Sequence, residues 1–103
     1  MTEIEIGGKK WPMRATIGAW NRFKETTGKD VADLDNAGNP DLVGFASLAF
    51  FFVQAGCKFN GTDFKMSLDD FLDAVEISEM TKIADAIADV MNGGQQKKMT
   101  ATS

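Results

Sequence analysis

The chain begins with a short stretch, residues 3–6, in which glutamate alternates with isoleucine. This period of two predicts a β-strand that presents both isoleucines on one face. Gly7-Gly8 follows and suits the positive φ angles of a tight hairpin turn, so residues 9–14 are expected to return as a second strand. Pro12 lacks an N–H donor, which places that strand at the edge of its sheet.

Apolar positions then change from alternation to helical spacing. Ile17, Trp20 and Phe23 lie three residues apart and predict the buried stripe of a first helix. Thr16 is suited to cap the N-terminus of this helix, and Gly28 is suited to the left-handed conformation that ends it.

The second predicted helix covers residues 40–55 and is apolar nearly all round. Asn39 and Pro40 suit the N-cap and the first helical position, and Gly56 suits the end. A helix of this kind is either central in its fold or shares a face with a partner. Because a small domain has few elements to cover it, we expect part of this helix to contact another chain. The predicted partner-binding residues are Phe45, Leu48, Phe51 and Phe52.

The last part of the chain predicts two shorter helices. Asn60-Gly61 is a turn signal, which we expect within a short extended hairpin. Ser67 is suited to cap a third helix over residues 68–75. Ser78 is suited to cap a fourth, in which apolar residues repeat every three or four positions.

These elements predict an α+β fold that is mainly α. An N-terminal β-hairpin would pack on about four short helices within a single domain, residues 1–93. Residues 94–103 are polar and are predicted to form a disordered tail. The length of 103 residues fits one domain of this kind.

Composition argues against an enzyme or a metal protein. The sequence has no histidine, the most common general base and zinc ligand, and its one cysteine, Cys57, is interpreted as a small apolar residue. The turn around Asp33 and Gly38 lacks the glutamate that a calcium loop requires. Asp69 and Asp73 are interpreted as solvated charges. We therefore predict no catalytic residue, no cofactor and no metal.

Charge and hydropathy narrow the class of partner. The net charge of −4 argues against nucleic acid, and the apolar run in the second helix is too short to predict a membrane span. Residues 1–30 carry six basic and four acidic side chains, whereas residues 67–92 carry one basic and seven acidic. This asymmetry is explained either by a homo-oligomer that weakens with salt or by a solvated acidic face that keeps the protein soluble, and the prediction made here is the oligomer. The residues assigned to this contact are Arg22, Lys24, Asp85 and Asp89.

The order and spacing of four segments indicate a protein family: residues 3–12, residues 17–31, the helix end at residues 54–56, and residues 67–73. Together they span about residues 1–90. In this arrangement the chain resembles the tail assembly chaperones of long-tailed bacteriophages and prophages.

The resemblance implies a non-enzymatic protein that binds the tape-measure protein, keeps it soluble and helps to recruit tail-tube subunits. It also implies action in the cytoplasm of the bacterial host and absence from the mature virion. An alternative is a structural virion component, such as a head–tail connector or a minor tail protein. Both functions need a surface that binds protein, and neither needs a catalytic site.

Overall fold

The computed structural model of the protein describes residues 2–30, 35–36 and 39–92. This part confirms the predicted α+β, mainly α, class. Its elements are β1 (Glu3–Ile6), β2 (Lys9–Pro12), α1 (Ile17–Thr27), β3 (Asp35–Asn36), β4 (Asn39–Pro40), α2 (Leu42–Asn60), α3 (Leu68–Ala74), a 3₁₀ turn (Ile77–Glu79) and α4 (Met80–Met91). Asp33, Gly38 and the tail 94–103 lie outside the described residues.

The N-terminal hairpin forms as the alternating pattern predicts. β1 and β2 pair antiparallel, with Ile4 opposite Trp11, and both of these side chains are buried together with Ile6. Gly7 and Gly8 have φ angles of 60° and 82°, which side-chain-bearing residues rarely adopt. Because a two-stranded hairpin is marginal in water, packing of β1 on α4 and of β2 on α2 supplies the stability that it lacks.

Helix α1 has the predicted ends but a different buried face. The Thr16 side chain accepts a hydrogen bond of 3.0 Å from the Ala19 amide, and Gly28 ends the helix at a φ of 71°. Ala19 and Phe23 are fully buried, whereas Ile17 is 87% exposed. The expectation that Ile17 joins the buried stripe is wrong, because at 100° per residue it lies on the far side of the helix from Ala19 and Phe23.

Helix α2 begins later than predicted. Asp41 is its N-cap, and the carboxylate accepts a hydrogen bond of 2.9 Å from the Gly44 amide. The other carboxylate oxygen contacts the Lys29 ammonium. Asn39 and Pro40, predicted as cap and first turn, instead form β4. An aspartate directly after them provides the acceptor that the helix start needs.

The end of α2 also differs from the prediction. The helix continues through Gly56 to Asn60, and Gly61 ends it at a φ of 72°. Gly56 is buried where a Cβ atom would lie 2.4 Å from the Pro12 carbonyl oxygen. Its role is therefore close approach of the hairpin, not helix termination. The hairpin predicted at Asn60-Gly61 is wrong because Gly61 uses its positive φ as a helix cap.

The middle of α2 is the core of the fold. Leu48 and Phe52 have no exposed surface, and Phe51 is 6% exposed, because β2, α1, α3 and α4 all pack against this helix. Phe45 is half-buried against the same core. The predicted partner-binding residues were expected to be exposed. This expectation is wrong for Leu48, Phe51 and Phe52.

The two C-terminal helices start in different ways. The Ser67 hydroxyl accepts a hydrogen bond of 3.1 Å from the Asp70 amide, which confirms it as the cap of α3. Ser78 does not cap α4. The 3₁₀ turn before α4 is instead held by a capping box in which Glu76 and Glu79 each accept the other's backbone N–H.

Candidate functional site

Large apolar side chains are exposed at a few places in the described part of the chain. They are Ile17, Leu42, Val43, Phe59, Ile77 and Met91. Single exposed apolar residues are normal on a protein surface, but a cluster of them indicates a binding site. Leu42, Val43 and Ile77 form such a cluster, because all three line one groove.

The groove lies between the first turns of α2, the C-terminal part of α3 and the 3₁₀ turn. Its volume is about 150 Å³. Ala46 is buried at its floor, and Leu72, Val75 and Met80 are half-buried in its walls. Val43 and Ile77 are 63% and 80% exposed, so they form the open rim. The groove is thus an apolar surface that the fold leaves uncovered.

Local sequence features account for this opening. Asp41 fixes the start of α2, so Leu42 and Val43 fall in the first turn, where both side chains are exposed. On the opposite side, the Glu76–Glu79 capping box fixes the turn that carries Ile77. Both caps consist of hydrogen bonds between residues close in sequence. They fix the backbone on the two sides of the groove without contacts to the core.

The lining of the groove is apolar except for one carboxylate. Glu76 is the single ionisable residue of its lining, and the other lining residues are apolar. Small-molecule sites usually enclose about 300–1,000 Å³ with several convergent polar groups. Within residues 2–30, 35–36 and 39–92, no group of three Cys, Asp or Glu side chains is placed to hold a metal ion. The groove is therefore suited to a small apolar group.

Cys57 is the other group with potential reactivity. Its side chain is 1% exposed in α2, and burial raises the pKa of the thiol, although the nearby Lys9 charge acts in the opposite direction. The thiolate is the nucleophilic form of cysteine, so a buried thiol with a raised pKa is a poor nucleophile. This environment agrees with the interpretation of Cys57 as an apolar packing residue.

The groove lining contains none of the four predicted partner-binding residues, Phe45, Leu48, Phe51 and Phe52. The sequence signal that was missed is Ile77. It is a lone apolar residue between Glu76 and Ser78, where no helical or strand pattern requires it to be buried.

The residues predicted to mediate self-association lie on two helices that both pack on α2. Arg22 donates a hydrogen bond of 3.1 Å to the Gln54 side chain, and Asp89 accepts one of 2.6 Å from the Thr2 hydroxyl. Lys24 is exposed and lies 3.8 Å from the Asp30 carboxylate. Asp85 is also exposed. Arg22, Lys24 and Asp89 are thus already engaged within the chain, and the role of all four residues in self-association stays a prediction.

Helix α2 is long and apolar enough to cross a membrane by length and composition, with a mean hydropathy of 1.6 over an 18-residue window. However, 67% of that window is buried inside the fold. A central core helix has the same composition, so burial accounts for the hydropathy of α2 without a membrane.

Comparison of the chain with models of known protein families, with curated proteins and with solved structures finds no match. The groove geometry and the order of the sequence segments described above are therefore the basis for a functional proposal.

Proposed function

We propose that this protein is a non-enzymatic tail assembly chaperone of a long-tailed bacteriophage or prophage. It binds the tape-measure protein through the apolar groove, keeps it soluble and helps to recruit tail-tube subunits. The resemblance of the sequence segments supports the family, and the groove supports the mode of binding. The single observation that carries the proposal is the convergence of Leu42, Val43 and Ile77 on one open apolar surface.

The shape of the groove supports binding of a helix. Helices and a 3₁₀ turn form the groove, so no free strand edge is present in its lining for a partner to extend. Apolar grooves between helices commonly accept the apolar face of an amphipathic helix. A chaperone for a long helical protein needs such a surface, because it must cover apolar stripes until the helices reach their final partners.

The proposal implies a tape-measure protein encoded in the same phage or prophage, and co-expression with that protein tests it. Val43→Gln and Ile77→Gln together replace two exposed apolar side chains without changing charge. Burial of a large aliphatic side chain contributes roughly 1.5–3 kcal/mol, so the double variant should bind at least about tenfold more weakly. We expect soluble tape-measure protein to co-purify with the wild type and to be largely lost with the double variant.

Ile17→Gln is the matched control, because Ile17 is 87% exposed and lies outside the groove. It should retain the tape-measure protein, and circular dichroism should report folded protein for every variant. Equal co-purification with the double variant and the wild type would exclude the groove as the binding site.

The location of the protein separates the chaperone from a structural component. A chaperone acts in the host cytoplasm and should be missing from purified virions by mass spectrometry. Stoichiometric recovery of the chain from virions would instead favour a connector or minor tail protein.

A further inference from the structure

We infer that the groove recognises one large apolar side chain of an amphipathic helix that carries Lys or Arg one helical turn from that side chain. This inference rests on the proposed function, because it specifies which segment of the tape-measure protein the groove selects. It follows from the size of the groove, from the charges beside it and from the way those charges are placed on α3.

The size of the groove limits the apolar part of the ligand. An enclosed protein cavity of about 150 Å³ takes up benzene, so a volume of this size holds a single large side chain, such as Leu or Phe. The groove here has a similar volume, about 150 Å³, and is open along the rim formed by Val43 and Ile77. A bound helix therefore inserts one anchor residue, and the exposed Val43 and Ile77 pack against the helix surface beside that anchor.

The groove is bordered by acidic side chains. Glu76 belongs to its lining, and Leu72 of α3 lies in its wall. Asp69 lies three residues before Leu72, and Asp73 lies one residue after it. At 100° per residue they lie about 60° and 100° round α3 from Leu72, on the side away from the buried Phe71. Asp69, the nearer of the two, and Asp73 thus lie on the solvent-facing side of α3 beside the groove-lining Leu72.

These aspartates are not neutralised within the described part of the chain. Asp69 and Asp73 are exposed, and neither has an ion pair or side-chain hydrogen bond there. Asp73 also lies in the last turn of α3, where the helix dipole disfavours a negative charge. Lys29, which follows α1 in the sequence, already contacts Asp41 at the start of α2. A partner with basic side chains would therefore complement this border.

Helical spacing links the two requirements. Side chains three or four residues apart lie on one face of a helix, about one turn from each other. An anchor residue in the groove thus places a Lys or Arg at either of these spacings over the α3 border. A helix with the same anchor but flanking Glu would bring like charges together and bind more weakly.

The inference is tested with synthetic helical peptides that share one apolar stripe. The reference peptide has a Leu anchor and Lys flanks, and its three relatives have an Ala anchor, Gln flanks or Glu flanks. Binding is measured by fluorescence anisotropy at low and at high salt. We expect the Ala anchor to weaken binding at least about tenfold and the order of affinity to be Lys, Gln, then Glu. At about 1 M salt, where the Debye length is about 3 Å, the three flank variants should converge.

The protein side is tested with Asp69→Asn and Asp73→Asn together. Exposed charge pairs each change binding by about twofold to fivefold, so this variant should bind the Lys-flanked peptide roughly tenfold more weakly. The matched control is Glu5→Gln with Glu25→Gln, which changes the net charge equally at two exposed positions on β1 and α1. It should leave the affinity unchanged, whereas Ile77→Gln should weaken every peptide.

The outcomes separate this inference from the proposed function. If Lys-flanked and Glu-flanked peptides bind alike, or if none binds, the recognition rule is overturned even when the tape-measure protein co-purifies. If the peptides follow the expected order but the tape-measure protein does not co-purify, the rule stands and the proposed function fails. An equal loss in the matched charge control would also overturn the inference, because it would assign the effect to net charge alone.

Discussion

The first turn and the middle of α2 are both apolar in sequence but have different surroundings. From Ala46 to Cys57, the closed part of α2, the helix is covered on several sides by the hairpin and the other helices, and Gln54 is the one residue of this stretch that is not buried. At the N-terminal end, Leu42 and Val43 are exposed beside Ile77. Hydrophobicity alone does not distinguish the open first turn from the closed part. The positions of the covering elements do, and these depend on contacts between residues far apart in the chain.

The largest expected effect tests the closed part of α2. Phe52→Ala removes a side chain with no exposed surface and should destabilise the fold by about 3–5 kcal/mol. Phe59→Ala is the matched control on the same helix, because Phe59 is 62% exposed. The Arg14 guanidinium lies 3.9 Å from the centre of the Phe59 ring, so this control should lose about 1 kcal/mol or less. Urea unfolding measures both, and equal losses would contradict the assignment of Phe52 to the core.

Much of the fold follows from patterns that are local in the sequence. Alternating residues before Gly7-Gly8 predicted the hairpin, and Thr16 and Ser67 predicted two helix starts. In each case the hydrogen-bond acceptor and its donor, or the turn and its strands, lie within a few residues. Such features depend little on the rest of the fold, so sequence is sufficient to identify them.

The candidate site was not predicted, because exposure is a property of the whole fold. Phe51 and Ile77 show this in opposite directions. Phe51 belongs to a run that is too apolar for one helix face, yet other elements cover it, whereas Ile77 belongs to no apolar pattern and is 80% exposed. A lone apolar residue beside a capping signal was the available indication of the groove.

The next prediction concerns the close approach of the hairpin to Gly56, in the closed part of α2. Gly56→Ala should raise helix propensity by up to about 1 kcal/mol, but its Cβ would lie 2.4 Å from the Pro12 carbonyl oxygen and 2.8 Å from the Met13 nitrogen. Because both contacts are with backbone, the hairpin must move away from α2. We expect a net loss of about 1–3 kcal/mol in the free energy of unfolding.

Gly18→Ala is the matched control for this substitution. Gly18 is exposed in α1, and its added Cβ would lie 3.4 Å from the end of the flexible Arg22 side chain. Helix propensity should therefore dominate and stabilise the protein by up to about 1 kcal/mol. The two glycine substitutions are thus expected to have opposite signs in thermal unfolding. A stabilised Gly56→Ala variant would show that the hairpin does not need this close approach.

The smallest effect concerns the open end of α2, where Asp41 fixes the start of the helix. Asp41→Ala removes the N-cap acceptor and should destabilise the protein by about 1 kcal/mol. Asp41→Asn keeps an acceptor for the Gly44 amide but loses the charge that faces Lys29. The difference between these variants in urea unfolding separates the cap from the ion pair, and both should leave the core aromatic residues packed.

The pH dependence of the Asp41→Asn variant tests the ion pair directly. The hydrogen bond from Lys29 lowers the pKa of the Asp41 carboxyl, the Gly44 amide and the Lys29 charge lower it further, and partial burial opposes them. The folded state therefore favours the carboxylate more than the unfolded state does. The stabilisation that the Asp41 carboxylate provides is fully present above its pKa in the unfolded state, about 3.9. It is lost as the pH falls through the lower pKa of the folded state. The gap in stability between wild type and Asp41→Asn should narrow across this window, and a gap that stays constant would show that the Lys29 contact does not stabilise the open end of α2.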